Sequence, residues 1–595
     1  MTLVLNAVLG LALAASAPPT ADYRARLPQD EVIYFLLPDR FENGDPSNDK
    51  GGLSGDRLQT GHDPTRTGFY HGGDLKGVIK RLDYIQGLGV TAVWLAPVFQ
   101  NKIVQGDPGQ ESAGYHGYWI TDFTRVDPHF GTNADFKSLV DAVHARGMKF
   151  YMDIVVNHTA DVIHFAECAD KPQSHCDYRS IADYPYQRRG GVDGKPINPG
   201  FDGKNFEKLT DPSYAYTPVV PDADKHVKKP DWLNDPRYYH NRGDSTFRGE
   251  SSLMGDFSGL DDVFTEHPRV VRGMIEIYGK WIDAFGVDGF RIDTEQHVNP
   301  EFWQQFVPAM LKRARAKGIP NFHIFGEVFT DQMDPAHTAV NTVRDKVPAV
   351  LDYPFARAVI DTAGGSRPPS ELAKLFRADP LYLGGEQGAL QLPTFLGNHD
   401  AGRFAMFVRM GSPKADAQEQ LARVILGHAM LLTLRGVPTI YYGDEQGFVS
   451  DSGDQGARED MFPSRVGSYN DNRLLGTSAT TAEASFNPDH PLYREFAKLA
   501  RLRTSHGALT RGRQLIRFAA EQPGLFAVSR FDPVSGREML LLFNTSTKPT
   551  KANVAVETRS VRFDALAGPC PQTAAAPGSV AIDLPPLGFA VCYAR

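Results

Sequence analysis

Three acidic residues close short apolar runs in this chain. Asp293 ends Gly286-Val287-Asp288-Gly289-Phe290-Arg291-Ile292-Asp293, Glu327 follows His323-Ile324-Phe325-Gly326, and Asp400 ends Phe395-Leu396-Gly397-Asn398-His399-Asp400. A carboxyl group can give a proton, take one, or attack an electrophilic carbon, and its surroundings decide which. Arg291 stands two residues before Asp293. Alternate side chains of a strand share a face, so the guanidinium is placed to hold that carboxylate ionised and oriented. A structural ion pair at a strand end would carry the same local pattern. The company of the motif decides, because Asp153-Ile154-Val155-Val156-Asn157-His158 is a fourth run of the same kind. Carboxylates gathered from the ends of separate strands are the arrangement of a barrel enzyme.

The elements that must position them alternate. Val32 to Leu37, Val90 to Val98 and Lys149 to Val156 are apolar runs of strand length, and Val350 to Ile360, Gln391 to Leu396 and Val437 to Tyr442 supply later ones. Asp74 to Leu88, Ala134 to Ala145, Pro268 to Phe285 and Phe302 to Ala316 carry helical spacing. This predicts an α/β (β/α)8 TIM barrel. From His158 to about Asp256 periodicity lapses among Pro, Gly, Asp and Tyr, too long a stretch for a bare loop and so an inserted subdomain after strand 3. After about Gly507, short alternating runs separated by turns predict a C-terminal antiparallel β-sandwich. The expected division is 18–157 and 257–507 for the barrel, 158–256 for the insertion and 508–595 for the β domain.

In this order the motifs resemble those of glycoside hydrolase family 13, the α-amylase superfamily, from about Val32 to the C-terminus. Gly436-Val437-Pro438-Thr439-Ile440-Tyr441-Tyr442-Gly443-Asp444-Glu445 matches the family's eighth-strand motif. The resemblance implies a retaining hydrolase of α-1,4-glucosidic bonds in starch, glycogen or maltooligosaccharides. It makes Asp293 the nucleophile, Glu327 the general acid and then base, and Asp400 a ligand of sugar hydroxyls. His158 and His399 are implied to donate to hydroxyls of the same ring, with Tyr118 beneath it and His116 and His297 on the substrate side. Gln296 departs from the family, which often carries a Lys there, and Glu295 precedes it. Cyclomaltodextrinase, neopullulanase and α-glucan transglycosylase activities are therefore alternatives. The first two rank second because such enzymes usually carry an N-terminal β domain, whereas here the barrel is expected almost at once. A non-catalytic glycan-binding barrel would be expected to lose carboxylates that this chain keeps.

The resemblance also implies calcium. Asn43, Asp45, Asn48 and Asp49 surround a Gly and a Pro, a pattern shared by hard-cation loops and plain turns. Family members complete it with a Gly-Gly-Asp element, here Gly72-Gly73-Asp74. A second calcium is implied between barrel and insertion, held by Asn157, Asp261 and the backbone carbonyl of His297, with Asp256 competing for the place of Asp261.

A chain of 595 residues, 41% hydrophobic, is large enough for two or three domains. Its formal charge of -8 is spread without basic blocks, which suits a neutral glycan partner and argues against nucleic acid. Thr2 to Ala17 reads as a signal peptide (residues 1–17) ending in Ala15-Ser16-Ala17, so a secreted or periplasmic protein is expected, with no membrane span. Cys168 with Cys176 and Cys570 with Cys592 are the simplest disulfide pairs. A monomer is expected, with no starch-binding module appended.

Overall fold

The computed structural model describes residues 22–169 and 176–595. The expected signal peptide lies outside the described residues.

Eight strands form one parallel sheet: β1 Ile33–Leu36, β2 Ala92–Leu95, β3 Lys149–Ile154, β4 Gly289–Ile292, β5 His323–Gly326, β6 Ala349–Val350, β7 Pro393–Thr394 and β8 Val437–Tyr441. Their order is β6-β5-β4-β3-β2-β1-β8-β7, a sheet curled on itself. The ends of that order meet at the Asp352 N–H, which donates to the Pro393 carbonyl at 2.9 Å, so the barrel is nearly closed. β1, β2, β3, β4 and β5 are buried along their whole length, as expected of parallel strands covered on both faces. Register places Arg291 beside Asp153 on β3 and Phe325 on β5, which aims the ends of these strands at one point.

The helix Pro268–Phe285 begins and ends as its sequence dictates. Pro268 sits in the first turn, the His267 side chain accepts the Arg269 N–H, and Gly286 stops the helix at φ 71°. The expected Asp74–Leu88 helix is instead two, Leu75–Lys80 and Leu82–Gly87, capped by the Asp74 carboxylate on the Gly77 N–H. The expected strand over Val350 to Ile360 is a correction: β6 stops at Val350 and Tyr353–Val359 is helical. Asp352 caps it by accepting the Phe355 N–H, and Pro354 favours the first turn. An apolar run of this length fits either element, so periodicity could not separate them.

The insertion leaves after β3 and returns through two short pairings. His158–Thr159 pairs antiparallel with Asp261–Asp262, and Tyr239 bridges Val263. Its pairings therefore extend past residue 256. The Cys168–Cys176 disulfide lies within it, and its base packs against the barrel's own core. The C-terminal unit is a five-stranded antiparallel sheet, from Arg513–Ala519 to Phe589–Ala594, with Thr550–Ala555 and Ser579–Leu584 paired beside it. Leu540, Leu542, Val554, Val580 and Leu584 fill the space between the two sheets, and Cys570–Cys592 ties the chain after the outer strand Phe563–Ala567 to the inner strand Phe589–Ala594.

Candidate active site

Arg291 is the hub. From the buried end of β4 its Nη1 donates to Asp153 Oδ1 at 2.9 Å and Asp293 Oδ1 at 2.8 Å, while Nη2 lies 2.7 Å from Glu327 Oε2. Its side chain is 1% exposed. The planar fork suits this task, since one guanidinium can meet carboxylates from three strands at fixed angles. Asp153 is held further by Trp94 Nε1 at 3.2 Å and the Tyr118 hydroxyl at 3.0 Å. Glu327 accepts from the Tyr353 hydroxyl at 3.0 Å and from the Thr294 N–H at 3.1 Å. Thr294 makes that bond from φ 47°, a left-handed conformation costly for a β-branched residue. The strain sits one residue from Asp293.

One cation facing three carboxyl groups leaves the cluster short of positive charge. Burial pushes the Asp293 pKa well up, Arg291 opposes it, and the charges of Glu327, Asp153 and Asp400 push it higher. Asp153 is raised to about 6, again by burial against the pull of Arg291. The cluster therefore retains a proton well above the ordinary carboxylate range. The histidines behave oppositely. Burial lowers His158 to about 3, and it lowers His116 and His399 well below their ordinary value with help from Arg458. All three are neutral at neutral pH, each able to donate from one ring nitrogen and accept at the other.

These groups line one cleft of about 1020 Å³, which Asp293, Glu327 and Asp400 share with His116, Tyr118, His158, His297 and His399. Tyr118 stacks between His116 (centroids 5.6 Å apart) and His399 (5.5 Å), a tier of flat rings. His158 Nε2 and His399 Nδ1 are buried without a protein partner. Such orphaned nitrogens in a cleft wall are where a ligand's hydroxyls would be paired. His297 stands on the wall, its Nδ1 bound to Ser252 at 2.9 Å. Every expected catalytic and substrate residue thus lines the cleft, apart from Arg291 beneath it.

Sequence reasoning missed several residues. Arg458 donates to Asp400 Oδ1 at 3.0 Å, the His399 carbonyl at 3.0 Å and the Tyr115 hydroxyl at 3.1 Å. It comes from an irregular loop after β8 with no periodic signal. Phe247, Phe257 and Phe329 add aromatic surface, Phe247 and Phe329 being about half exposed at 48% and 51%. The strand reading of Val350 to Ile360 hid Tyr353. Gln296 also lines the cleft, 3.4 Å from His337, while Glu295 is buried behind it and bonded to Asn341 at 2.8 Å.

The two places where a cation was expected differ. In the first loop, Asn43 Oδ1 and Asn48 Oδ1 are buried without partners, beside Asp49. A side chain at Gly72 (φ +101°) would press on Asn43 and Asp49 at 2.8 Å, so the glycine keeps that cradle open. Oxygen donors of this kind fit a hard cation. The Asp45 carboxylate turns outward to Lys76 at 2.6 Å, and Asp74 is spent on the N–H groups of Gly44, Asp45 and Gly77. At the second place the residues do not fit. Both Asp261 oxygens accept the N–H groups of Val162 and Ile163, and the Lys228 ammonium sits against the same carboxylate. Asp256, the competing residue, accepts the Asp262 N–H at 3.1 Å. Asn157 Nδ2 lies 3.3 Å from His158, and no group of three or more His, Cys, Asp or Glu able to hold a metal occurs among the described residues.

Residues 35–512 match the family described as "Alpha amylase, catalytic domain". The chain is 43% identical over 572 residues to an α-amylase of Streptomyces lividans, covering 94% of this chain and 61% of that one. It is 30% identical to a "Beta/alpha-amylase" of Paenibacillus polymyxa, over 87% of this chain and 33% of the relative. It therefore spans less than two thirds of the length of either. Among solved structures, an Anoxybacillus α-amylase superposes with a TM-score of 0.66 at 26% identity, covering 96% and 99% of the two chains.

Proposed function

As the chain belongs to the α-amylase family of glycoside hydrolases, we propose that it is a retaining hydrolase of α-1,4-glucosidic bonds in starch, glycogen or maltooligosaccharides. The observation that carries this reading is the Arg291 fork, which brings Asp293 and Glu327 together on one cleft floor within reach of Asp400. Two carboxyl groups bound to one guanidinium suit the short spacing, roughly 5 Å, of a retaining pair.

Glu327 gives its proton to the departing glycosidic oxygen while an Asp293 oxygen bonds to the anomeric carbon. The C–O bond breaks with its electron pair leaving on the protonated oxygen. Glu327, now a carboxylate, takes a proton from water as that water attacks the same carbon and frees Asp293. Two inversions restore the starting configuration. Positive charge growing at the anomeric carbon stabilises Asp293 as the anion in the first step. Tyr353 and the Thr294 N–H hold the Glu327 carboxyl in place. Asp400, fixed by Arg458, is assigned to sugar hydroxyls, with the free nitrogens of His158 and His399 beside it and Tyr118 beneath the ring.

The first loop, through Asn43, Asn48, Asp49 and Gly72, is the proposed calcium position, with a structural role. Two disulfides support the reading of an exported protein, for such bonds persist in oxidising compartments. Incubation with starch, pullulan, cyclodextrins and maltooligosaccharides, following product size and anomer, tests the proposal. Release of α-configured maltooligosaccharides from starch is expected. No action on any α-glucan would refute it, and a strong preference for cyclodextrins or for transfer would move the assignment to the alternatives.

A further inference from the structure

We propose that the junction between barrel and insertion is held by an internal cation, the Lys228 ammonium, and that it takes no divalent metal. Lys228 and Asp261 are both buried, with side chains 1% and 2% exposed, and they form a direct ion pair. The ammonium thus sits directly against a buried carboxylate, the setting in which its charge is compensated. The Tyr239 ring lies 4.1 Å from Nζ and supplies a second favourable contact.

Several segments converge on this pair. The Asn234 amide clamps the Lys228 backbone, accepting its N–H at 3.0 Å and donating to its carbonyl at 2.8 Å. The next residue, Lys229, exchanges backbone bonds with Thr121 and Phe123, on the strand Ile120–Val126 that follows β2. Asp261 lies on the pairing with His158–Thr159, immediately after β3, and accepts the N–H groups of Val162 and Ile163 at 3.0–3.2 Å. The ion pair therefore joins the segment of the insertion that pairs with Ile120–Val126 to the strand pairing that follows β3.

Coordination excludes a metal at this point, because the Asp261 carboxylate is already taken up by the Lys228 ammonium and by backbone N–H groups. Calcium takes six to eight oxygen ligands at roughly 2.3–2.6 Å. Here each Asp261 oxygen already receives N–H donors, Asn157 Nδ2 is turned to His158, and the Asn157 carbonyl accepts the Val263 N–H at 2.8 Å. The consequence is a junction whose integrity does not depend on metal supply.

The test is calcium binding to the full chain, stripped with chelator and re-equilibrated, in the natural protein, Asn48→Ala and Asp261→Asn. Any calcium bound by the natural protein is expected to be lost in Asn48→Ala and kept in Asp261→Asn. An ion that survives Asn48→Ala and disappears in Asp261→Asn would overturn the proposal. In a second arm, Lys228→Met is expected to lower the thermal midpoint by about 3–6 °C, and Lys228→Met/Asp261→Asn to recover at least half of that loss. An unchanged midpoint in Lys228→Met would equally overturn it. Should Lys228→Met fail to fold, the calcium arm still decides.

Discussion

Two buried clusters of charge sit at the same end of the barrel, and they are built on opposite plans. Around Arg291, carboxyl groups of Asp153, Asp293 and Glu327 compete for one guanidinium, and the space above them is open. Around Lys228, one ammonium binds one carboxylate directly and both are sealed from solvent, with the carboxyl groups of Asp161 and Asp256 within electrostatic reach. Unbalanced charge beside a cleft holds protons at unusual pKa values and is useful for moving them. A direct ion pair in a sealed junction moves nothing and fixes the geometry of what surrounds it. The strained, β-branched Thr294 beside Asp293 belongs to the first plan.

The comparison breaks most visibly through the reacting groups. Asp293→Asn removes the attacking oxygen, and starch turnover is expected to fall by about 10⁴-fold or more, with the fold intact by circular dichroism. Glu327→Gln should cost about 10²–10⁴-fold on starch, and much less on a glycosyl fluoride whose leaving group needs no proton. Equal losses on both substrates would remove Glu327 as the acid. At the junction, Lys228→Met strands a buried carboxylate and should cost about 3–5 kcal/mol in chemical denaturation, with far less effect on the turnover of molecules that remain folded.

Acidity distinguishes the regions more finely. In the insertion, His240 bonds Asp262 at 2.5 Å and Glu266 at 2.9 Å. Burial works to lower its pKa, yet Glu266 and Asp262 outweigh it and raise it to about 9. A base whose folded pKa lies above its unfolded value of 6.5 stabilises fully below that value and loses the contribution as pH rises through the folded one. Thermal stability is therefore expected to decline from pH 6.5 to above 9. His240→Gln should flatten that slope, and an unaltered slope would exclude His240 as its source. The smallest expected effect is chelation. Removing the calcium proposed for the first loop should lower the melting temperature modestly without altering the junction's hydrogen-exchange protection.

The barrel was legible because its strands are apolar runs of distinctive length and its helices carry their own punctuation, as Pro268 and Gly286 show for one of them. Asp293, Glu327 and Asp400 were legible because each ends such a run. Arg458 was not, since it lies in an irregular loop and reaches Asp400 only through the tertiary fold. Tyr353 was misread as strand because a capping Asp and a Pro, both short-range signals, outweighed the β-like look of the run. The junction defeated sequence reasoning for a different reason. Asp261 was singled out as a calcium ligand, but its partner is a lysine 33 residues away in an aperiodic stretch, and nothing local distinguishes a lysine that is buried from one on the surface.

Asp293 is proposed to form a covalent bond to the sugar while Glu327 handles the proton. The most direct measurement is mass spectrometry of Glu327→Gln incubated with α-maltosyl fluoride. Fluoride leaves without an acid, and the missing base slows the water step, so a maltosyl adduct is expected to accumulate on the peptide bearing Asp293. No adduct under turnover, or an adduct on any other carboxylate, would exclude Asp293 as the nucleophile.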